Sequence, residues 1–493
     1  MGQGSVDLII ENGRLLDGSG NPWRYADVGV RDGIIVAVGD LEDVEAERRI
    51  DASGLYVAPG FIDVHSHAAG PLENPDLASA EPLLRQGITT IVGNPDGGGP
   101  VDLAAQGRRL ETVHPGVNVA LLAPHGSIRR KVMGIQDRAP SAPEMEQMKD
   151  LVEAAMKDGG WGLSSGLYYT PGRFAETEEV IDLARVAAAH GGLYTSHIRD
   201  EADYNIGLVA AVDEVIEISR QAGIPAVVTH VKALGPRVWG FSEAVVQRVE
   251  SARSEGLEVW ADQYPYQASA TGLGAALLPG VNLETAQLSD EELRKIIGLN
   301  LQRRGGADRI QFRFSTSQPE IEGRTLAEVA RGRSLAPDQT ALDLLRGGGA
   351  GIVSFNMHPA DVARFMSQEW VMTCSDGGLV PAGRGVPHPR NNGTFPRKIR
   401  RYVLENGVIS LPFAIRSMTS LPASVFGFHD RGRLVPGMVA DIVVFDLERL
   451  TDRATFQDPH QLSQGIVHVL LAGRLALDNE SLTSQRLGSV LRK

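Results

Sequence analysis

A single cysteine, Cys374, stands in 493 residues. That scarcity excludes an intrachain disulfide and any zinc site built from clustered thiolates, so metal binding would have to rest on histidine and carboxylate. Aromatic residues reach only 5%, too few to locate a side-chain pocket. No long Lys/Arg run offsets the formal net charge of -13. The short RKIRR at 397–401 reads as a solvated helix face, and a nucleic-acid partner is not expected. No apolar stretch is long enough for a membrane span, and MGQGSVDLIIENGRLL has no basic region followed by a long apolar segment. Neither a signal peptide nor a membrane anchor is indicated, and the cytoplasm is the default.

What is present is an ordinary globular composition, 42% hydrophobic and 22% charged, without the bias of a disordered chain. The length suits a barrel of TIM size with a satellite. Residues 5 to 57 read as short strands separated by NG, DG and SG pairs, where tight turns need positive φ. The last segment echoes them in GRLVPGMVADIVVFDLE and GIVHVLLAGRLAL. The two ends together (1–58 and 430–493) are expected to form one small β-sandwich domain.

Between them, residues 59–429 alternate short apolar strands with helical stretches. Strands are expected at GFIDVHSH, TTIVGN, VNVALLAPHG, GWGLSSG, GLYTSHI, PAVVTHV, EVWADQYPY and WVMTCSDGG. Alternating βα units imply parallel strands with right-handed crossovers, and eight of them imply a (β/α)8 TIM-like barrel in the α/β class. The stretch 283–350 breaks the rhythm and is expected to be an insertion, a lid over the site.

In such a barrel, chemistry gathers at the C-terminal strand ends. His65 and His67, two apart in PGFIDVHSHAAG, point the same way from an extended segment. His197 ends GLYTSHI, His230 ends PAVVTHV and Asp376 ends VMTCSDGG. One histidine of this kind is most often structural, and a strand-end Asp is commonly a helix cap. Five such residues at four strand ends form a ligand set for zinc or a similar divalent ion, with Asp376 as proton shuttle.

GLYVAPGFIDVHSH, SHIRDE, THVK and TCSDGG resemble the amidohydrolase superfamily. GLSSGLYYTPGRFAETEEVI, TSHIRDE, DQYPYQAS and HPRNNGTFPR look like its D-aminoacylase branch, the N-acyl-D-amino-acid deacylases, along nearly the whole chain. The resemblance implies one or two zinc ions, with His65, His67 and Asp376 serving one position and His197 and His230 the other. It implies attack of metal-bound water on an amide, with Asp376 taking the water proton and delivering it to the leaving amine. One departure stands out: the branch normally has a cysteine after VGN, where this chain reads IVGNPDGGGP. Pro95 cannot ligate. Asp96 is either a substitute ligand or a turn residue of Pro-Asp-Gly.

By the same resemblance, Lys232 and Tyr264 contact the substrate α-carboxylate, with a third donor among Ser269, Ala270 and Thr271. Arg199 either clamps Asp200 or Glu201 or orients a substrate carboxylate, and His125 either lines the pocket or is a hydrogen-bonded loop residue. Arg390 and Arg397 are expected to shape the loop after Asp376. Gly377 and Gly378 follow Asp376 directly, so no charged side chain stands there, which favours neutral substrate side chains. The expected activity is metal-dependent hydrolysis of a linear amide, releasing a D-amino acid from an N-acyl-D-amino acid or an L-Xaa-D-Xaa dipeptide. The alternatives are a cyclic amidase of hydantoinase or dihydroorotase type and a non-catalytic binding protein on the same scaffold. A small-molecule partner is expected, and nothing in the sequence sets the oligomeric state.

Overall fold

Eight short strands, all buried, form the centre of the computed structural model, which describes residues 5–493. They are β1 (Phe61–Asp63), β2 (Ile88–Gly93), β3 (Asn118–Leu121, continued at Ala123–Pro124), β4 (Gly162–Gly166), β5 (Leu193–His197), β6 (Ala226–Val228), β7 (Val259–Gln263) and β8 (Val371–Thr373). Each pairs in parallel with the next in chain order, except that β7 joins β8 across a long excursion. Apart from the partly buried Trp260, every residue of these strands is buried whichever face it points to, so they show no alternation of buried and exposed positions. The ring closes through loop backbone: the His67 N–H donates to the Gly377 carbonyl at 2.7 Å and the Asp376 N–H to the His65 carbonyl at 2.9 Å.

The crossover helices follow from their periodicity. Leu208–Ala222 buries Leu208, Ala211, Val212, Val215, Ile216 and Ser219, a stripe at three- and four-residue spacing that covers the barrel wall. It stops at Gly223, whose φ of 63° lies in the left-handed region that glycine enters without a Cβ penalty.

Beside the barrel lie two β-sheets built mainly from the chain ends. One has four strands, Val6–Glu11, Asp27–Arg31, Ile34–Gly39 and Ala46–Asp51. The other has seven, and in it Ile442–Phe445 runs antiparallel to Tyr56–Pro59. The chain then leaves this region, and Val490–Leu491 adds to the outer edge of β3.

The excursion between β7 and β8 begins earlier than the sequence rhythm indicates. Ser269–Gly272, Ile310–Phe314 and Gly351–Ser354 form a three-stranded antiparallel sheet, backed by Asp290–Arg303, Leu326–Arg333 and Pro337–Arg346. It has its own apolar core, including Leu277, Ile297, Phe312 and Leu342, and its first and second strands stand over the mouth of the barrel.

Candidate active site

Immediately after β1, the extended HSH segment sends both imidazoles into the barrel mouth. His65 is buried and His67 faces the cavity, their ring centres 5.5 Å apart. Asp96 arrives from the loop after β2. Its own φ of 55° is left-handed, and Gly166 at the end of β4 leaves it room: a Cβ there would meet the Asp96 carbonyl at 2.2 Å. The Pro-Asp-Gly turn exists, closed by the Gly98 N–H on the Pro95 carbonyl at 2.9 Å. That turn aims the Asp96 carboxylate at the centre of the site.

Asp96 touches four imidazoles. Its Oδ1 lies 3.3 Å from His65 Nε2, 3.4 Å from His230 Nε2 and 3.7 Å from His197 Nδ1, while Oδ2 lies 3.5 Å from His67 Nε2. On the opposite side, Asp376 Oδ1 is 3.2 Å from His67 Nε2 and 3.8 Å from His65 Nε2. Asp376 Oδ2 accepts from Arg390 Nη1 at 2.7 Å. Two donor groups result, His65, His67, Asp96 and Asp376, and Asp96, His197 and His230, and Asp96 belongs to both.

The residues fit a cation. His65 Nε2 and Asp96 Oδ1 are buried and face each other without a hydrogen bond, and an unsatisfied buried pair of this kind needs a partner between them. His197 Nδ1 and His230 Nε2 approach to 2.8 Å. Burial works against ionisation of Asp96, but His65, His230 and His67 outweigh it and hold the carboxyl well below its usual range. For Asp376, burial is likewise overcome, chiefly by Arg390 and His230. Both acids are therefore carboxylates, the form a metal takes. Asp96, His230 and Asp376 all have positive φ, at 55°, 37° and 48°, strain of the sort that collects where side chains must be aimed.

A cavity of about 500 Å3 opens over this cluster. Lys232 lines it with its ammonium hydrogen-bonded to Glu201 Oε1 at 2.5 Å and beside His230 Nδ1 at 2.7 Å. Tyr264 stands against Lys232, whose Nζ is 5.6 Å from the ring centre, and Ser269, Ala270 and Thr271 all reach the wall.

Two sequence expectations need correction. His125 is fully buried away from the cavity, its Nε2 2.9 Å from Glu179 Oε1, which also accepts from Arg129 Nε at 3.1 Å. It locks the start of a helix to its neighbour. Arg199 pairs with neither Asp200 nor Glu201 but with Glu214, at 2.7 Å, and donates to the carbonyls of Arg173 and Ala175. It lies outside the cavity wall and fastens two loops. Arg397 joins Asp452, whereas Arg390 reaches the site itself. Sequence reasoning missed Arg304, Arg313 and Tyr204 on the cavity wall, all from segments without a recognisable motif. Tyr168 and Tyr169, also on the wall, were visible only inside the GLYYTPG motif.

The amidohydrolase family model matches residues 48–476. The chain belongs to the amidohydrolase family. Within that family it is 39% identical to the N-acyl-D-glutamate deacylase of Alcaligenes xylosoxydans xylosoxydans, the match covering 100% of this chain and 97% of the relative. The D-aminoacylase of the same organism is 35% identical over 98% of this chain and 97% of its own. Among solved structures, the amidohydrolase superposes on N-acyl-D-glutamate deacylase from Bordetella bronchiseptica, complexed with zinc and a phosphonate mimic of the tetrahedral intermediate. The TM-score is 0.87 at 38% identity, covering 99% of this chain and 100% of that one. These relatives place it in the D-aminoacylase branch. The L-hydantoinase of Arthrobacter aurescens, at TM-score 0.62 and 19% identity over 99% of each chain or more, shares the fold alone. Among the described residues, no helix is long and apolar enough to cross a membrane.

Proposed function

We propose that this amidohydrolase releases an acidic D-amino acid, D-glutamate or D-aspartate, from its N-acyl derivative, using one or two zinc ions held by His65, His67, Asp96, His197, His230 and Asp376. The observation that carries the acidic preference is a pair of guanidiniums, Arg304 and Arg313, on the cavity wall. Arg304 is buried against Tyr204, 5.7 Å from its ring centre, and donates to the Ala276 carbonyl. Arg313 has a buried Nε with no partner. Among the described residues neither arginine pairs with a carboxylate, although burying an uncompensated charge is costly. A substrate carboxylate would compensate it, through the two-pronged geometry guanidinium offers. Both cations come from the insertion, not from the segment after Asp376, which reverses the neutral preference inferred from Gly377 and Gly378. The N-acyl-D-glutamate deacylase relatives agree with this reading.

The substrate α-carboxylate is assigned to Lys232 and Tyr264, with a third donor among Ser269, Ala270 and Thr271, which all line the cavity. Lys232 is already neutralised by Glu201, so it contributes a directed donor more than a net charge. When bound, the metal would supply a water of lowered pKa and polarisation of the amide carbonyl. Asp376 takes up the proton at Oδ1, the oxygen that faces His67, and returns it to the leaving amine; Arg390 holds Oδ2 and keeps the carboxylate from turning. Tyr168 and Tyr169, from the loop after β4, cover the His197 side and limit water. Cytoplasmic action is our reading of an acidic chain whose one thiol, Cys374, is buried and free.

The deciding measurement is kcat/KM for N-acetyl derivatives of D-glutamate, D-aspartate, D-glutamine, D-leucine and L-glutamate. Release confined to D-compounds and strongest for the acidic ones is expected. Equal turnover of the leucine and glutamate derivatives would overturn the acidic assignment, and equal turnover of both enantiomers would overturn the stereochemical one.

A further inference from the structure

The catalytic cavity continues past the ligand cluster. On the side of Pro71 it meets a second hollow of about 400 Å3, and the two share Pro71, Arg313, Leu379 and Val380. The apolar wall of this annex is formed by Pro71, Leu77, Phe314, Leu379, Val380 and Pro381. Phe314 and Val380 are each 36% exposed, and the Arg384 guanidinium lies 5.2 Å from the centre of the Phe314 ring. A contiguous apolar surface left in water next to a polar catalytic pole marks a place for an apolar group.

We infer that the annex receives an extended apolar acyl chain, so that the preferred substrates carry N-acyl groups well beyond acetyl. This rests on the deacylase reading of the site. The distribution of charge decides which half of the substrate enters. Lys232 and Arg304 line the catalytic cavity but not the annex, and Arg313 stands on the boundary the two share; these three take the charged amino-acid half, which leaves the apolar wall beyond Arg313 to the other half. The amide is then placed over Asp96 and Asp376, and the acyl half must leave on the other side. That side is the His67 side: a Cβ on Gly378, the residue before Leu379, would lie 3.4 Å from the His67 carbonyl. An acetyl methyl would stop at the mouth of the annex and leave its walls to water. An aminoacyl group, as in an L-Xaa-D-Xaa dipeptide, would bring an ammonium instead. No carboxylate lines the annex, and Arg313 and Arg384 both do, so the local field opposes a second cation.

The test is a chain-length series on one amino acid: kcat/KM for N-acetyl-, N-butanoyl-, N-hexanoyl- and N-octanoyl-D-glutamate, with N-succinyl-D-glutamate and L-alanyl-D-glutamate beside them. Each methylene buried in the partly open annex is expected to raise kcat/KM about two- to fourfold until the annex is filled. The dipeptide is expected to fall below the acetyl compound. Phe314→Asp puts a charge on the annex wall at an exposed position and is expected to narrow the octanoyl-to-acetyl ratio by tenfold or more. A flat series, a ratio unmoved by Phe314→Asp, or a preference for succinyl over hexanoyl would overturn the apolar assignment. If the acetyl compound is also inert, the deacylase reading fails separately. Calorimetric binding of N-octanoyl- against N-acetyl-D-glutamate then decides the annex, tighter octanoyl binding supporting it and equal binding removing it.

Discussion

Arg390 donates to Oδ2 of Asp376 at 2.7 Å while Oδ1 of the same carboxylate faces His67 at 3.2 Å. The arginine therefore fixes which oxygen is free for proton transfer. Asp376→Asn keeps the shape and removes the base, so kcat is expected to fall by roughly 10²–10⁴-fold, the usual contribution of a positioned acid or base. The variant should still fold, with a lowered unfolding midpoint because the buried Arg390 loses its carboxylate partner. An active Asn variant would remove Asp376 as the shuttle.

Asp96 spans both donor groups. Asp96→Ala is expected to lower metal content per chain, measured by elemental analysis after dialysis, whereas Asp96→Glu should retain part of it. Unchanged content in the alanine variant would reduce Asp96 to a turn residue.

Arg304 is buried and has no carboxylate partner among the described residues. Arg304→Met retains most of the apolar stem and deletes the charge. For N-acyl-D-glutamate a loss of about 2–3 kcal/mol in transition-state binding is expected, near that of a charge-assisted hydrogen bond, hence some 30- to 150-fold in kcat/KM. The leucine derivative should change little. Parallel losses on both substrates would assign Arg304 a structural part instead.

Lys398 offers a pH test away from the site. It is buried, and Nζ donates to Thr373 Oγ1 and Ser417 Oγ, both at 2.8 Å, with no carboxylate pair among the described residues. Burial lowers its pKa from 10.5 to about 7. Between those values the unfolded chain binds more protons than the folded one, so stability rises as pH climbs through that window. Urea unfolding at pH 7 and pH 9.5 should show wild type gaining more than Lys398→Met, by an amount on the order of a few kcal/mol. Equal gains would show that the buried amine stays charged with water beside it.

The eight barrel strands were legible as short segments, mostly apolar at their start, that end in polar residues, and the site histidines mark three of those ends. His65, His67, His197, His230 and Asp376 do converge. Asp96 was ambiguous for a physical reason: a Pro-Asp-Gly turn is a complete explanation of an aspartate until the turn's direction is known. His125 and Arg199 misled because their partners, Glu179 and Glu214, lie on crossover helices that only packing brings near. Arg304 and Arg313 come from an insertion whose helices carry ordinary amphipathic patterns, so nothing local sets two of its arginines apart. The pairing of Val490–Leu491 with β3 involves two residues on each side, too short a run to show any period.

The pairing of Tyr56–Pro59 with Ile442–Phe445 has a consequence for biogenesis. The first of these strands emerges from the ribosome early and directly precedes β1, yet its neighbour is synthesised only after the entire barrel. Until then an apolar edge waits unpaired, the situation in which strands associate wrongly between chains. Long-range closure of this kind also slows folding. A nascent chain truncated before residue 442 would therefore be the aggregation-prone species, and completing translation would itself act as the final folding step.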